Sequence, residues 1–120
     1  MRQRELQIQK QAMRFLDAAL PSYIRAIHIP NGGRRDAKTG AMLKAAGVKA
    51  GVPDIALIQQ GGAVAFIEIK TDKGRPSAAQ TEWLDWFDQN LIPYAVCRSL
   101  GDVQTALMGW NIQLKAQVTA

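Results

Sequence analysis

Gly51-Val52-Pro53-Asp54-Ile55-Ala56-Leu57-Ile58 is followed, after a Gly-Gly pair, by Val64-Ala65-Phe66-Ile67-Glu68-Ile69-Lys70. Each segment has the composition of a short apolar strand, yet Asp54 opens the first and Glu68 interrupts the second between two isoleucines. Carboxylates are rarely buried unless they are paired or bound to a cation. The two strands together therefore indicate a site for a divalent metal ion.

The length of the hairpin loop decides whether the two carboxylates meet. A two-residue loop at Gly61-Gly62 pairs Asp54 with Ile69 and turns Glu68 to the opposite face of the sheet. A three-residue loop, Gln60-Gly61-Gly62, sets Asp54 directly across from Glu68, with Cβ atoms about 4.5–5.5 Å apart. We predict the three-residue register, because that distance suits two carboxylates that share one cation.

Lys70 follows Glu68 by two residues, so both side chains lie on one face of the second strand. The chain thus carries Pro53-Asp54 on one strand and Glu68-x-Lys70 on the next, which is the signature of the PD-(D/E)xK nucleases. Further matching segments follow in order: His28-Ile29-Pro30-Asn31-Gly32, Gly47-Val48-Lys49-Ala50-Gly51, Gly74-Arg75-Pro76-Ser77 and Gln80. From residue 2 to residue 104 the chain resembles the virus-type replication-repair nuclease (VRR-NUC) family.

The resemblance implies an α/β fold with a restriction-endonuclease-like PD-(D/E)xK core, in which helices flank a small mixed sheet. The apolar pattern gives the matching order αβββαβα, with one domain over residues 1–120. The predicted elements are a helix over 2–20, strands over 24–29, 54–58 and 64–70, a helix from 77, a strand over 94–98 and a helix from 102. Residues 32–51 are predicted to form a long loop with a helical turn at 41–46.

The helix that opens at Ser77 carries a predicted capping box, with Ser77 as N-cap and Gln80 three residues later. The apolar positions that predict its buried face are Trp83, Leu84, Phe87 and Leu91. Trp83 and Trp86 are also candidates for stacking on bases, but their helical spacing favours positions in the core. Gln80 shares the buried face, and the VRR-NUC family has a glutamine here beside its site, so we expect Gln80 to join the catalytic group.

The acidic pair and the resemblance together imply metal-dependent hydrolysis of phosphodiester bonds. Asp54, Glu68 and the backbone carbonyl of Ile69 are expected to bind Mg²⁺, for which Mn²⁺ can substitute. Lys70 is expected to stabilise developing charge, and it can act as a general base only if burial lowers its pKa. Glu5 is either a favourable carboxylate at the start of the first helix or, as the resemblance implies, a support for a second metal or the water.

The charge distribution favours nucleic acid as the partner. The net charge is +5 and the pI about 9.7, with five basic residues against one acid over residues 32–51 and four acids against one base over residues 81–102. Lys73 and Arg75 fit either phosphate contacts or a solvated turn. The expected DNA-binding residues are Asn31, Arg34, Arg35, Lys49, Lys73 and Arg75.

Composition excludes several protein classes. A hydrophobic content of 48% is that of a globular domain. No apolar run approaches the roughly 18–20 residues that a membrane span needs. The N-terminus lacks the apolar core of a signal peptide, and the single cysteine, Cys97, excludes an intrachain disulfide. We therefore expect a cytoplasmic protein of a bacterial or phage-infected cell, without a membrane partner.

The resemblance also implies a homodimer that cuts branched DNA such as four-way junctions or flaps, as expected for small standalone members of the family. A two-fold dimer suits a two-fold junction. Two other function classes fit the same residues: a RecB-like or restriction-type nuclease of linear DNA, and a non-catalytic nucleic-acid-binding module that kept the fold. A basic structural domain with an ion-paired Asp-Glu-Lys cluster fits less well, because it leaves two carboxylates with one lysine.

Overall fold

Four strands form one mixed sheet in the computed structural model, which describes residues 2–30 and 37–118. In their order across the sheet they are β1 (Ile24–His28), β2 (Ile55–Gln59), β3 (Val64–Ile69) and β4 (Tyr94–Cys97). The pairs β1–β2 and β2–β3 are antiparallel, whereas β4 pairs parallel with β3. The mixed sheet that the sequence predicts is therefore confirmed.

Helices accompany the sheet as α1 (Arg2–Ala19), α2 (Ala37–Ala45), α3 (Ala78–Gln89) and α4 (Leu100–Gly109). The predicted order is confirmed with one addition, since α2 is a nine-residue helix where a loop with one helical turn was expected. No side chain of α2 is buried, so this helix lies on the surface of the domain. Over residues 2–30 and 37–118, no helix is long and apolar enough to cross a membrane.

The hairpin between β2 and β3 has the predicted three-residue loop, residues 60–62. Ile55 pairs with Ile67, and the same register continued by one residue sets Asp54 opposite Glu68. Both glycines of the loop adopt positive φ, +99° and +105°, a region that favours glycine because it has no Cβ. The hydrophobic strands and the glycine turn thus agree on one register, which brings the two acids together.

The two faces of the sheet pack against different helices. One face meets α1 and α4 in the main core, whose largest buried members include Leu16, Ile55, Ile67, Ile69 and Leu107. The other face meets α3, where the ring of Phe87 stacks on Phe66 with centroids 4.7 Å apart. Because side chains alternate along a strand, Glu68 and Lys70 share the α3 face with Phe66. The acidic pair therefore lies between the sheet and α3.

The end of α3 differs from its predicted buried stripe. The C-cap is Asn90, and the next two N–H groups bond back to the helix, Leu91 to the carbonyl of Asp88 and Ile92 to that of Phe87. This Schellman pattern requires a left-handed residue after the cap, and Leu91 adopts φ +57°. The predicted burial of Leu91 is wrong, since the turn leaves this side chain 90% exposed.

The two tryptophans of α3 do not both join the core. Leu84 and Phe87 are buried as predicted, and Trp83 is partly buried. Trp86 remains 50% exposed and lines an open cavity with Glu82, so its predicted core position is wrong. Trp86 lies one position before Phe87, at the edge of the apolar stripe. Only part of its ring therefore packs against neighbouring side chains, and the rest faces solvent.

Replacing Leu91 by glycine tests the strain at the end of α3. Glycine adopts positive φ without steric cost, so Leu91→Gly should raise the free energy of unfolding by about 1 kcal/mol. Urea denaturation measures the change. Leu91→Ala removes much of the same exposed apolar surface but keeps the Cβ atom, and this matched control should change stability little. Equal gains in both variants would show that the exposed leucine side chain, not the backbone, carries the cost.

Candidate active site

Asp54 is held at both its backbone and its side chain. Its carbonyl oxygen accepts hydrogen bonds from the backbone N–H of Ile29 at 2.7 Å and from Nδ1 of His28 at 2.8 Å. Its carboxylate atom Oδ2 accepts a hydrogen bond from the backbone N–H of Ile69 at 2.8 Å. Asp54 is therefore tied to β1 on one side and to the end of β3 on the other.

Glu68 is almost fully removed from water, with only 2% of its surface exposed. Its Oε2 accepts a hydrogen bond from Nε2 of Gln80 at 2.8 Å and lies 3.7 Å from Nζ of Lys70. Lys70 is itself buried and shares the same face of the sheet. The predicted group of Asp54, Glu68, Lys70 and Gln80 thus meets at one place, although its catalytic role stays a prediction.

Gln80 connects the start of α3 to the acidic pair. Its Oε1 accepts from the backbone N–H of Ser77 at 2.7 Å, and its own N–H donates to Oγ of Ser77 at 3.2 Å. The predicted capping box is therefore confirmed. The remaining end of the amide, Nε2, is the group that donates to Glu68. One side chain thus caps the helix and orients the carboxylate.

The electrostatics of the pair are unfavourable when both acids are ionised. Burial first, and the facing charge of Asp54 second, raise the pKa of Glu68 from 4.5 to about 8, against the opposing effect of Lys70. Burial also raises the pKa of Asp54, although the N–H of Ile69 opposes that shift. One buried and one partly buried carboxylate therefore have one neighbouring ammonium, and the site is short of positive charge.

The donor set fits a hard divalent cation. Within residues 2–30 and 37–118, no three acidic, histidine or cysteine side chains converge closely enough to hold a metal by themselves. Mg²⁺ does not need such a cage, because it keeps several waters and binds through one or two carboxylates plus substrate phosphates. Asp54 and Glu68 supply two carboxylates. The backbone N–H of Ile69 donates to Asp54, and the carbonyl of Ile69 as a third ligand stays a prediction. Glu5, in the first turn of α1, is partly buried, and its charge contributes to raising the pKa of Glu68.

Three of the predicted DNA-binding residues lie on the described surface. Lys49 is exposed in the turn that leads into β2, and Lys73 and Arg75 are exposed in the loop that follows β3. These two places flank the acidic pair along the chain. The other three expected contacts fall outside the described residues: Asn31, Arg34 and Arg35.

The turn before Asp54 packs closely on the first turn of α3, a contact that the sequence reasoning missed. Nε1 of Trp83 donates to the carbonyl oxygen of Ala50 at 2.9 Å. Gly51 has φ +87°, and a Cβ built on it would lie 2.5 Å from the backbone of Ala79. Only glycine fits such an approach, so this contact fixes the distance between the strand that carries Asp54 and the helix that carries Gln80.

His28 and Arg98 were also missed as parts of the site's surroundings. The bond from His28 to the carbonyl of Asp54 gives this histidine a specific structural role. Arg98 follows β4 and donates to backbone carbonyls of the loop after β3. The sequence did contain a signal for both residues. His28 ends β1 and Arg98 directly follows β4, and these strands neighbour the two that carry the acids. Strand ends along one edge of a sheet commonly share a site.

The chain is similar to VRR-NUC domains in both sequence and structure. The model of the VRR-NUC domain family matches residues 5–100. A solved structure described as a VRR_NUC domain protein has a TM-score of 0.69 and 23% identity, covering 88% of this chain and 86% of its own. Another, described as a VRR_NUC domain, has a TM-score of 0.58 and 21% identity, covering 88% of this chain and 95% of its own. No curated protein matches the chain.

The raised pKa of Glu68 predicts a pH-dependent stability in the absence of metal. A carboxyl whose pKa is 4.5 unfolded and about 8 folded costs nothing below the lower value, and its cost grows as pH rises to the higher one. Glu68→Gln should therefore melt a few degrees above wild type in EDTA at pH 8, and the gap should shrink towards pH 5. Thermal unfolding followed by circular dichroism across this range measures it.

Glu82→Gln is the matched control, since Glu82 is exposed on α3. This variant should follow the wild-type melting curve at every pH. Added Mg²⁺ should raise the melting temperature of wild type more than that of Glu68→Gln. A lower melting temperature for Glu68→Gln in EDTA would mean that Lys70 and Gln80 already stabilise the ionised carboxylate.

The close approach of Gly51 to α3 predicts a large effect of one methyl group. Gly51→Ala should lower the free energy of unfolding by at least about 2 kcal/mol, because positive φ and a clash with the backbone add together. Gly47→Ala is the matched control, since Gly47 has φ +110° but no neighbour within 4 Å of the new Cβ. Urea denaturation of both separates the clash from the φ cost, and equal losses would contradict the packing argument.

Proposed function

Because this chain belongs to the VRR-NUC domain family, a family of PD-(D/E)xK nucleases, we propose that it is a metal-dependent DNA endonuclease. In this proposal it hydrolyses phosphodiester bonds and prefers branched DNA, either a four-way junction or a flap. The observation that carries the proposal is the pair of buried Glu68 and partly buried Asp54, which is short of positive charge and lies beside Lys70. A phosphodiester with its accompanying cation suits that site.

Asp54 and Glu68 would hold Mg²⁺, or Mn²⁺ in its place, with the main chain at Ile69 completing the protein's share of ligands. When bound, the ion supplies Lewis-acid polarisation of the phosphodiester and lowers the pKa of a coordinated water. Glu5 supports that water or a second ion from the start of α1, and its influence on Glu68 supports this assignment.

Lys70 and Gln80 have separate tasks in the proposed reaction. The ammonium of Lys70 lies 3.7 Å from Glu68, so it is available to stabilise the negative charge that develops on the phosphate. Gln80 keeps Oε2 of Glu68 in a fixed direction through its 2.8 Å hydrogen bond. A fixed carboxylate reduces the reorganisation that the reaction would otherwise require.

The DNA backbone is expected to approach the basic residues on either side of this pair. Lys49, Lys73 and Arg75 are exposed there, and the chain as a whole carries a net charge of +5. Contacts between lysine or arginine and phosphate release counterions, so binding should weaken steeply as salt rises. Asn31, Arg34 and Arg35 belong to the same proposed surface by their position in the sequence.

The proposed active form is a homodimer. Support for it comes from the resemblance to small standalone family members and from the number of sites, since the described residues hold one acidic pair of this kind. Cutting two strands of a four-way junction in step needs two sites related by a two-fold axis. The described part of one chain supplies one of them.

Cleavage assays test the proposal directly. Labelled four-way, flapped and linear DNA of the same sequence are incubated with wild type and with Asp54→Asn, in Mg²⁺, Mn²⁺ or EDTA. Wild type should cut branched DNA in metal only, and Asp54→Asn should lose at least about 100-fold in rate while binding DNA as before. Asp85→Asn, an exposed acid on α3, is the matched control and should cut normally.

Each alternative outcome identifies another function. A wild type that binds DNA and cuts none in any metal would be a non-catalytic binding module. Preferred cutting of linear DNA would indicate a RecB-like or restriction-type nuclease. Light scattering of the complex with the four-way junction should give two chains per junction, and one chain per junction would remove the homodimer from the proposal.

A further inference from the structure

Arg98 connects the end of β4 to the loop over residues 71–76, which directly follows Lys70 and is called the 71–76 loop below. Its Nη1 donates to the carbonyl oxygens of Thr71 at 2.6 Å and Gly74 at 2.5 Å. A longer contact of 3.4 Å reaches the carbonyl of Asp72. The backbone N–H of Arg98 is in turn accepted by Oδ2 of Asp102 at 2.8 Å, at the start of α4. The guanidinium therefore extends from a fixed base.

The backbone carbonyl groups of this loop accept hydrogen bonds from Arg98. Loop carbonyls lack the ladder partners that strands provide, and buried ones must find a substitute. Thr71 is buried, and its carbonyl accepts from Arg98 and from the backbone N–H of Gly74 at 3.1 Å. A planar guanidinium presents several donors in a rigid geometry, so one arginine side chain can fix several carbonyls at once.

The same loop packs against the proposed catalytic lysine. A Cβ built on Gly74 would lie 3.5 Å from Cδ of Lys70 and 3.1 Å from Oγ1 of Thr71, so the loop rests closely on the Lys70 stem. Nζ of Lys70 is the atom 3.7 Å from Glu68. A shift of the 71–76 loop would therefore change the space that keeps this ammonium beside the carboxylate.

The outer side of the loop has the charge of a phosphate-binding surface. Lys73 and Arg75 are exposed and line an open cavity of about 810 Å³ together with Arg98. The acid in this cavity, Asp72, lies 4.0 Å from Arg4 in an exposed ion pair. The lining thus holds three cations against one acid, and its cationic side chains start from main chain that Arg98 holds in place.

We propose that Arg98 is a positioning residue that shapes the 71–76 loop so that Lys73 and Arg75 bind phosphates of the DNA backbone next to the acidic pair. Through Gly74, the same loop keeps Lys70 beside Glu68. This inference rests on the proposed function, because it assigns the ordering of that function's DNA-binding surface to one side chain. Arg98 itself acts through the loop, with its Nη1 committed to carbonyl oxygens.

A double-mutant cycle measured in EDTA tests the proposal without any cleavage. In the wild-type background, Lys73→Ala should make the negative slope of log binding constant against log salt less steep by about 0.9, the value for one phosphate contact. In the Arg98→Met background, the same substitution should reduce the steepness by less than half as much, because the loop no longer presents Lys73 to the DNA. If Arg98→Met affected only overall stability, Lys73→Ala would change the slope by the same amount in both backgrounds.

Hydrogen exchange of the backbone amides over residues 70–77 gives a second measurement that needs no DNA. Arg98→Met should raise the exchange rate at Gly74, whose N–H bonds to Thr71, by at least tenfold. Arg25→Met is the matched control, since it removes an exposed arginine from β1, and it should leave both measurements unchanged. If Arg98→Met does not fold, Arg98→Lys keeps the charge while losing the planar donors and is measured in the same way.

The outcomes separate this inference from the function on which it rests. Equal effects of Lys73→Ala in both backgrounds, or unchanged exchange at Gly74, would overturn the positioning role of Arg98 alone. A wild type that binds DNA without cutting it would overturn the nuclease and leave the positioning role intact. A wild type that binds no DNA would overturn both.

Discussion

Two carboxylates that face each other, Glu68 buried and Asp54 partly buried, are the constraint on which the rest of the site depends. Asp54 and Glu68 meet because the hairpin loop has three residues. Burial raises the pKa of both acids, and the charge of Asp54 raises the pKa of Glu68 further. Two side chains lie against the carboxylate of Glu68: Nζ of Lys70 is 3.7 Å away, and Gln80 donates a hydrogen bond to it from the capped end of α3.

The main chain around the pair is held by one repeated device. In three places a side-chain N–H donates to a backbone carbonyl outside the strand ladder: His28 to Asp54, Trp83 to the turn before β2, and Arg98 to the 71–76 loop. Carbonyls at strand ends and in loops lack the full set of ladder partners, and these three side chains supply additional donors. Each donor comes from a different element, so the site joins β1, α3 and β4 although its acids come from one hairpin.

Local sequence carried much of the architecture. The hairpin register could be predicted because a glycine loop and the alternation of apolar residues both depend on neighbours in the chain. The capping box of Ser77 and Gln80 was predictable for the same reason, since its groups are three residues apart. The apolar stripe of α3 was right at Leu84 and Phe87 but failed at Leu91, because a Schellman turn depends on backbone geometry that hydrophobic periodicity does not encode.

By itself, the sequence determined the order of the main helices and strands and the hairpin register that sets the two acids face to face. It also determined the lysine beside them and the family to which the chain belongs. Only the tertiary structure decided which donors hold the backbone around them. Arg98 is 24 residues from Gly74 and Trp83 is 33 residues from Ala50, so nothing local specifies either bond. It also decided that α2, with no buried side chain, stays on the surface. Such contacts depend on how the elements pack, and packing depends on the whole chain at once.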